Sequence, residues 1–219
     1  MDKCANCEGR GYIPGILMAD GKRGDCLKCV LGLELASERN RENARIPLRF
    51  GIQSWATFPV SPETKDVIAR LQEWLPGGET EADEGKGLFI HGDYGTGKTG
   101  IACQVLYDQL GTGHWTGLFM PLSELLDEIK ATYGADSQKG ESEVLRPVKE
   151  VNLLVLDDIG SERPTEWVVE KLFAIVNRRY NDLKPTIYTS NLSIGQLADR
   201  LGERTTWRIA EMSTVVHLK

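Results

Sequence analysis

The sequence predicts an α/β protein in which a parallel sheet carries helices on both faces, preceded by a small cysteine-rich domain. Three observations lead to this prediction. Short apolar strands alternate with helices from residue 50 onward, a glycine-rich phosphate-binding loop follows one of these strands, and four of the five cysteines lie within the first 29 residues. A chain of 219 residues has room for one ordinary α/β domain and a small addition.

The composition excludes several classes of protein. Hydrophobic residues make up 41% of the chain and charged residues 26%, which is typical of a globular protein and not of a disordered one. No stretch approaches the roughly 18 uninterrupted apolar residues of a membrane span. Because the first residues lack the basic-then-apolar order of a signal peptide, we expect a reducing, cytoplasmic location.

The charge is unevenly distributed. The net charge of −6 argues against a protein that coats duplex DNA without sequence specificity. Residues 1–49 contain nine basic and seven acidic residues, net +2, so the remainder carries −8. A nucleic-acid contact of the front segment would be modest, and binding of a partner protein explains its charge equally well.

The cysteines of the front segment have the spacing of a zinc site. Cys4 and Cys7 form one C-x2-C pair, and Cys26 and Cys29 form a second after a gap of 18 residues. Two such pairs can surround one Zn²⁺ tetrahedrally, and four thiolates leave no position for water, so the zinc would be structural. Disulfides or redox thiols are the alternative, which a reducing compartment disfavours. We expect Cys103, within a helical pattern, to be a packed residue.

The periodicity predicts the following domains and elements. We expect a zinc-binding domain over residues 1–35, a charged linker over 36–49 with its arginines in solvent, and a larger α/β domain over 50–219. Within the larger domain we expect helices over 61–75, 98–110, 121–133 and 165–183 and strands over 88–90, 117–120, 151–156 and 186–189, with a polar loop over 134–140.

The phosphate-binding loop is the most specific motif. It follows a predicted strand, precedes a predicted helix and matches G-x4-G-K-[ST] at Gly92, Asp93, Tyr94, Gly95, Thr96, Gly97, Lys98 and Thr99. Backbone N–H groups of such a loop bind the triphosphate of ATP, the lysine reaches the β- and γ-phosphates, and the threonine hydroxyl binds Mg²⁺. The guanine-specific N-K-x-D motif does not occur, which disfavours a GTPase.

Acidic and amide side chains follow two further strands. Asp157 and Asp158 end an apolar strand about 55 residues after the loop, where Asp157 fits a Mg²⁺-linked position and Asp158 a general base for the attacking water. Asn191 ends the next strand and has the chemistry to hold that water or to contact the γ-phosphate. A helix N-cap is the alternative for Asn191, although Ser193 can fill that position.

In these motifs the chain resembles the AAA+ ATPases that load replicative helicases, the DnaC and DnaI family, together with the related transposition helper IstB. The resemblance covers roughly residues 44–218. It rests on the segments ARIPLRF at 44–50, GDYGTGKT at 92–99, LLVLDDIG at 153–160, PTIYTSNLS at 185–193 and LADRLGERTTWRIAEMS at 197–213. A zinc-bearing front segment before such an ATPase is most similar to the DnaI type of loader.

The resemblance implies an AAA+ sheet, ATP bound between adjacent subunits, and roles for three further residues. Asn191 corresponds to sensor 1, and Arg208 corresponds to the arginine finger that a neighbouring subunit donates, with Arg204 as a second candidate four residues earlier on one helix. Two departures stand out. Asp158 replaces the usual glutamate, which predicts slow, partner-dependent hydrolysis, and the sequence up to Lys219 leaves no room for a helical lid, which predicts weak self-association.

The resemblance implies a loader that uses ATP, Mg²⁺ and Zn²⁺, binds a hexameric replicative helicase through its front segment and delivers it onto single-stranded DNA. ATP hydrolysis would then release the helicase. A transposition helper that acts on duplex DNA is one alternative, and a zinc-domain adaptor with a structural nucleotide is another. DNA-stacking aromatics are not identified in the sequence, and we expect Trp115, Trp167 and Trp207 to be core or interface residues.

Overall fold

The computed structural model describes residues 12–17, 23–25, 30–50, 55, 68, 71, 85–134 and 138–219. Within these ranges the chain forms seven strands, β1 Tyr12–Leu17, β2 Arg23–Asp25, β3 Gly87–Gly92, β4 Gly117–Pro121, β5 Leu153–Asp157, β6 Thr186–Ser190 and β7 Ser213–Leu218. The helices in the same ranges are α1 Val30–Asn43, α2 Lys98–Gly111, α3 Leu122–Ala131, α4 Glu141–Glu150, α5 Glu166–Asn181, α6 Ile194–Leu201 and α7 Glu203–Glu211.

The main sheet has five parallel strands in the order β4-β5-β6-β3-β7. Alternate side chains of a strand point to opposite faces, so each strand contributes to two hydrophobic cores. On β3, Leu88 and Ile90 belong to the core beneath α2, whereas Phe89 belongs to the core beneath the helices on the other face. This arrangement confirms the predicted α/β fold, and it aligns the carboxyl ends of all five strands at one edge.

Six elements of the structure are not among the predicted helices and strands: β1, β2, α1, α4, α6 and β7. Helix α4 contains Pro147, which disfavours a helix in a sequence-based prediction, and only Leu145 and Val148 of its side chains are buried. Strand β7 pairs with β3 along its whole length. Helix α4 is held by the packing of these two side chains and β7 by its pairing with β3, and a local sequence pattern does not show either contribution.

Several predicted boundaries shift. Strand β5 starts at Leu153 and not at residue 151, because Val151 caps α4. Helix α5 ends at Asn181, two residues before Leu183, which takes a left-handed φ of 50°. The predicted helix over 61–75 lies outside the described residues except for Ile68 and Leu71, which are helical and buried.

The segment predicted as a linker packs closely against the sheet domain. Helix α1 continues to Asn43, and Asn40 Nδ2 donates a hydrogen bond of 2.7 Å to the carbonyl of Trp115. The guanidinium of Arg41 lies 3.8 Å from the ring centroid of Tyr107, so the expectation that these arginines are solvated is wrong for this one. The boundaries of the domains, 1–35, 36–49 and 50–219, stay a prediction.

The expectations for single core residues have mixed outcomes. Cys103 is fully buried, as predicted, and burial raises the pKa of its thiol. Trp115 and Trp167 are partly buried against the two cores, whereas Trp207 is 57% exposed and is not a core residue. Within the described ranges, no helix combines the length and the apolar character that crossing a membrane requires.

A buried arginine connects several elements at the edge of the sheet opposite the phosphate loop. Arg179 on α5 is 1% exposed, and its Nε donates to the hydroxyl of Thr186 at 2.7 Å. Its two terminal nitrogens donate to four backbone carbonyls, those of Val148, Val151, Asn152 and Pro185. Burial lowers the pKa of Arg179 to about 10, so the guanidinium remains charged at neutral pH. One side chain thus ties α4, β5 and β6 to α5.

We expect Arg179→Met to lower the free energy of unfolding by at least about 3 kcal/mol, since each buried carbonyl left without a donor costs about 1–3 kcal/mol. Urea denaturation of the full chain measures this loss. The control is Arg178→Ala, because Arg178 is a neighbouring arginine with 62% of its side chain exposed. This control should change stability by less than about 0.5 kcal/mol. A loss below about 1 kcal/mol for Arg179→Met would contradict the assignment.

Candidate nucleotide-binding site

The phosphate loop connects β3 to α2 and depends on glycine at two positions. Gly97 caps α2 with a left-handed φ of 88°, a conformation that side chains with a Cβ rarely adopt. Gly92 passes so close to the end of β7 that a Cβ would lie 1.9 Å from the carbonyl oxygen of Leu218. The loop can therefore follow its path only with glycine at these positions, and it presents the amino terminus of α2 to a ligand.

The lysine of the motif lies inside the loop. Lys98 is 8% exposed, and its Nζ donates to the carbonyl oxygens of Gly92 at 2.9 Å and Asp93 at 2.6 Å. Burial lowers the pKa of its ammonium group, and the carboxylates of Asp158 and Asp157 partly reverse that shift. An ammonium group held in a loop of backbone amides is suited to bind phosphate oxygens.

Asp157 connects three elements of the site. Its Oδ1 accepts a hydrogen bond of 2.9 Å from the hydroxyl of Thr99 on α2 and one of 2.6 Å from the hydroxyl of Thr189 on β6. Burial raises the pKa of the Asp157 carboxyl, and the two hydroxyl donors counteract part of this rise. The carboxylate and the Thr99 hydroxyl are hard oxygen donors on adjacent elements, which is the kind of donor set that Mg²⁺ takes beside a nucleotide.

Asp158 and Asn191 lie in direct contact. Asp158 has a φ of 57°, a left-handed conformation that aspartate tolerates better than most residues. Its backbone N–H donates to Thr189 Oγ1 at 2.8 Å, and its Oδ1 accepts a hydrogen bond of 3.0 Å from Asn191 Nδ2. The N-cap of α6 is Ser193, whose hydroxyl accepts from the N–H of Gln196, so Asn191 is not a cap.

The two candidate arginines lie together on α7. Arg208 lies over the rings of Phe173 and Tyr180, at 5.2 Å and 5.5 Å from their centroids, and donates to the carbonyl of Arg204 at 2.8 Å. The guanidinium of Arg204 lies 4.7 Å from the ring centroid of Phe173. Aromatic rings hold both cations at the surface of the domain.

The arginines are remote from the phosphate loop of the same chain. Arg208 lines a small cavity with Gly85, Lys184 and Thr186, which precede or begin β3 and β6. The loop follows the other end of β3, and the six residues of that strand span about 17 Å. Arg208 therefore does not contribute to the site of its own chain in this conformation.

The four cysteines predicted to bind zinc, Cys4, Cys7, Cys26 and Cys29, lie outside the described residues. Among the residues that are described, no group of three or more His, Cys, Asp or Glu side chains is arranged to hold a metal ion.

Sequence reasoning missed Thr189. A buried threonine in a strand resembles any other β-branched core residue, so no local pattern distinguishes it. The available signal is its position, two residues before Asn191, near the carboxyl end of the strand.

Comparison with known proteins assigns the family. The pattern of the family described as "IstB-like ATP binding protein" matches residues 81–217, more than half of the chain. The chain belongs to this family. Its parallel sheet has the AAA+ P-loop fold that the sequence resemblance implied, and a nucleotide site at the phosphate loop agrees with an ATP-binding family.

The chain is similar to named helicase loaders over part of their length. It is 30% identical over 118 residues to the replicative helicase loader DnaI of Bacillus subtilis, which is 53% of this chain and 37% of that protein. It is 28% identical over 122 residues to the replicative helicase loader DnaC of Escherichia coli, which is 56% of this chain and 49% of that protein. A crystal structure of the DnaC helicase loader superimposes with a TM-score of 0.70 at 28% identity, over 79% of this chain and 100% of that chain.

Proposed function

We propose that this protein is an ATP-dependent loader that binds a replicative DNA helicase and delivers it onto single-stranded DNA, with ATP hydrolysis driving release. The observation that carries the proposal is the meeting of Lys98, Thr99, Asp157, Asp158 and Asn191 at one edge of the sheet. The chain that bears this site is similar to proteins named as replicative helicase loaders. Such a protein acts in the cytoplasm of a bacterial or phage-infected cell.

The residues present fit MgATP. Thr99 and Asp157 would hold Mg²⁺, since the Thr99 hydroxyl and an Asp157 carboxylate oxygen lie next to each other, joined by a hydrogen bond of 2.9 Å. Bound Mg²⁺ neutralises charge on the phosphates. Lys98 would exchange its bonds to loop carbonyls for phosphate oxygens, and the loop amides would orient the triphosphate.

Asp158 and Asn191 would activate and orient the attacking water. Asp158 accepts its proton as general base, and the amide of Asn191 orients the water or contacts the γ-phosphate. The hydrogen bond between the two side chains, 3.0 Å long, engages the Asp158 carboxylate with Asn191, so this bond has to be exchanged before the carboxylate can accept a proton from water. This supports the expectation of slow hydrolysis that a partner stimulates.

A neighbouring copy of the chain would complete the site. We propose that Arg208 is donated across a subunit interface to the γ-phosphate of the adjacent protomer, with Arg204 as the second candidate. The position of Arg208 at the opposite end of the strands from the phosphate loop supports donation to another chain. A guanidinium group can stabilise the charge that spreads over the transferred phosphoryl oxygens.

The hairpin of β1 and β2 supports a zinc site at Cys4, Cys7, Cys26 and Cys29. Tyr12 pairs with Asp25 in this antiparallel hairpin. Cys7 precedes Tyr12 by five positions and Cys26 directly follows Asp25, so the chain enters and leaves the hairpin at the same end. Two C-x2-C pairs that flank a hairpin in this way are typical of structural zinc sites. We propose that the zinc domain contacts the helicase.

An aromatic pair of exposed Tyr133 and half-buried Trp167 supports a contact with single-stranded DNA, and we propose that Tyr133 is the stacking residue. Tyr133 is 56% exposed, and its ring centroid lies 6.4 Å from that of Trp167 in an edge-on arrangement. Lys130 Nζ lies 5.7 Å from the Trp167 centroid. Lys171 is paired with Glu141 at 2.6 Å, which also accepts from the Tyr133 hydroxyl. Aromatic rings with nearby cations are the usual platform for stacked bases.

The loading reaction tests the function directly. We expect the full chain with ATP to increase the amount of hexameric helicase retained on single-stranded DNA, and Lys98→Ala to abolish this increase. The reason is that a charged hydrogen bond to phosphate contributes about 1.5–3 kcal/mol, roughly 10- to 150-fold in affinity. Helicase retention on bead-bound DNA and titration with a fluorescent ATP analogue are the two measurements.

The control variant is Lys149→Ala, on α4, which should load normally. A wild-type chain that binds no helicase would refute the proposal. ATP-dependent bending of duplex DNA without helicase would favour the transposition helper, and full partner function in Lys98→Ala would favour the adaptor.

We expect Tyr133→Ser to weaken binding of single-stranded DNA by about 5- to 150-fold, since stacking of one base on an aromatic ring contributes about 1–3 kcal/mol. Fluorescence anisotropy of a labelled oligonucleotide measures the affinity. Leu183→Ser is the control, because Leu183 is a similarly exposed apolar residue, at 61%, outside the aromatic pair. Equal losses in the two variants would argue against a stacking site at Tyr133.

We expect metal analysis of the purified full chain to find a single zinc ion per protomer, and Cys26→Ser to lose it, because a tetrahedral site needs all four thiolates. Cys103→Ala is the matched control, since this buried cysteine lies in the sheet domain and should leave the zinc content unchanged. Helicase capture should fail in Cys26→Ser, while nucleotide binding persists. Retention of zinc in Cys26→Ser would overturn the four-cysteine assignment.

A further inference from the structure

Thr189 makes two hydrogen bonds that link both acidic residues of the site. It lies on β6, which is flanked by β3 and β5, and is 1% exposed. Its hydroxyl donates to Asp157 Oδ1 at 2.6 Å and accepts from the backbone N–H of Asp158 at 2.8 Å. A hydroxyl has a single hydrogen to donate, and this one is directed at the carboxylate.

The contacts of Thr189 differ from those of Thr99. Both hydroxyls donate to the same carboxylate oxygen of Asp157. Thr99 lies in the phosphate loop, and its hydroxyl is a candidate cation ligand, so its bond to Asp157 can be exchanged. The Thr189 hydroxyl, by contrast, is buried on β6 between β5 and β3 and lies outside the phosphate loop, so no ligand has to replace its bond to Asp157.

The second contact orients Asp158. This residue leaves β5 with a left-handed φ of 57°, and its N–H would lose its acceptor without the Thr189 hydroxyl. The same strand ends at Ser190, and the next residue, Asn191, donates to the Asp158 carboxylate. Thr189 thus fixes the backbone of Asp158, and Asn191, directly after β6, holds its carboxylate.

We infer that Thr189 is a positioning residue for metal-dependent nucleotide binding: its hydroxyl directs the Asp157 carboxylate towards the Thr99 hydroxyl and holds Asp158 in the conformation that meets Asn191. The inference rests on the ATP site of the proposed function, but it is independent of helicase and of DNA. It gives Thr189 on β6 and Asn191 just after β6 different tasks, since Thr189 orients both acids and Asn191 contacts only the Asp158 carboxylate.

A second threonine of the same strand provides a matched comparison. Thr186 is 4% exposed at the other end of β6, where its hydroxyl accepts from Arg179 and donates to the carbonyl of Lys184. Loss of that hydroxyl should reduce stability and leave the nucleotide site unchanged. Thr186→Val therefore shows what a purely structural threonine does.

The experiment is a Mg²⁺ titration of the full chain with a fluorescent ATP analogue. For Thr189→Val we expect the Mg²⁺ concentration at half-maximal binding to rise about 10- to 100-fold, the usual effect of removing a hydrogen-bond partner of a metal-binding carboxylate. Nucleotide affinity in EDTA should equal that of the wild type. Thr189→Ser, which keeps the hydroxyl, should restore the wild-type midpoint to within about threefold, and Thr186→Val should leave it unchanged while lowering the melting temperature.

Three results would overturn the inference: an unchanged Mg²⁺ midpoint in Thr189→Val, an equal loss of affinity in EDTA and in Mg²⁺, or a failure of Thr189→Ser to restore binding. Thr189→Ala serves the same test if the valine variant does not fold. A wild-type chain that binds no nucleotide would refute the ATP site and this inference together. Normal nucleotide results without helicase loading would refute only the loader.

Discussion

The nucleotide site depends on one constraint: the carboxyl ends of the parallel strands are aligned at one edge of the sheet. Hydrogen bonds to the Asp157 carboxylate link the elements that meet there. Thr99 reaches this carboxylate from α2 and Thr189 reaches it from β6. Because β3, β5 and β6 are parallel neighbours, the phosphate loop, the acidic pair and Asn191 all emerge at the same edge. The buried carboxylate needs these donors, and in turn it holds the elements at the distances at which MgATP chemistry is possible.

The two edges of the sheet have different chemistry. At the edge opposite the phosphate loop, the buried guanidinium of Arg179 donates hydrogen bonds to four backbone carbonyls. Near this edge, α7 carries Arg208 and the exposed Trp207. One edge of a protomer thus offers a nucleotide site and another surface offers cations, a polarity that suits a head-to-tail assembly.

Helix α1 connects the cysteine-rich segment to the phosphate loop. It begins five residues after β2 ends at Asp25, and it packs along α2 through Arg41 and Tyr107. Helix α2 itself begins at Lys98. Helix α1 thus packs against the helix that begins at the phosphate loop.

The sequence by itself determined the α/β class, the phosphate loop, the strand that ends in Asp157 and the resemblance to an ATPase family. These features depend on local patterns: apolar periodicity, glycines that only a tight loop requires, and fixed spacing. The tertiary structure decided what depends on distant neighbours. It packs α1 against α2, adds α4 and β7, exposes Trp207, and directs the Thr189 hydroxyl at both acids. A threonine in a strand has the same local pattern wherever it lies, and only the pairing of β5 with β6 brings this one to Asp157.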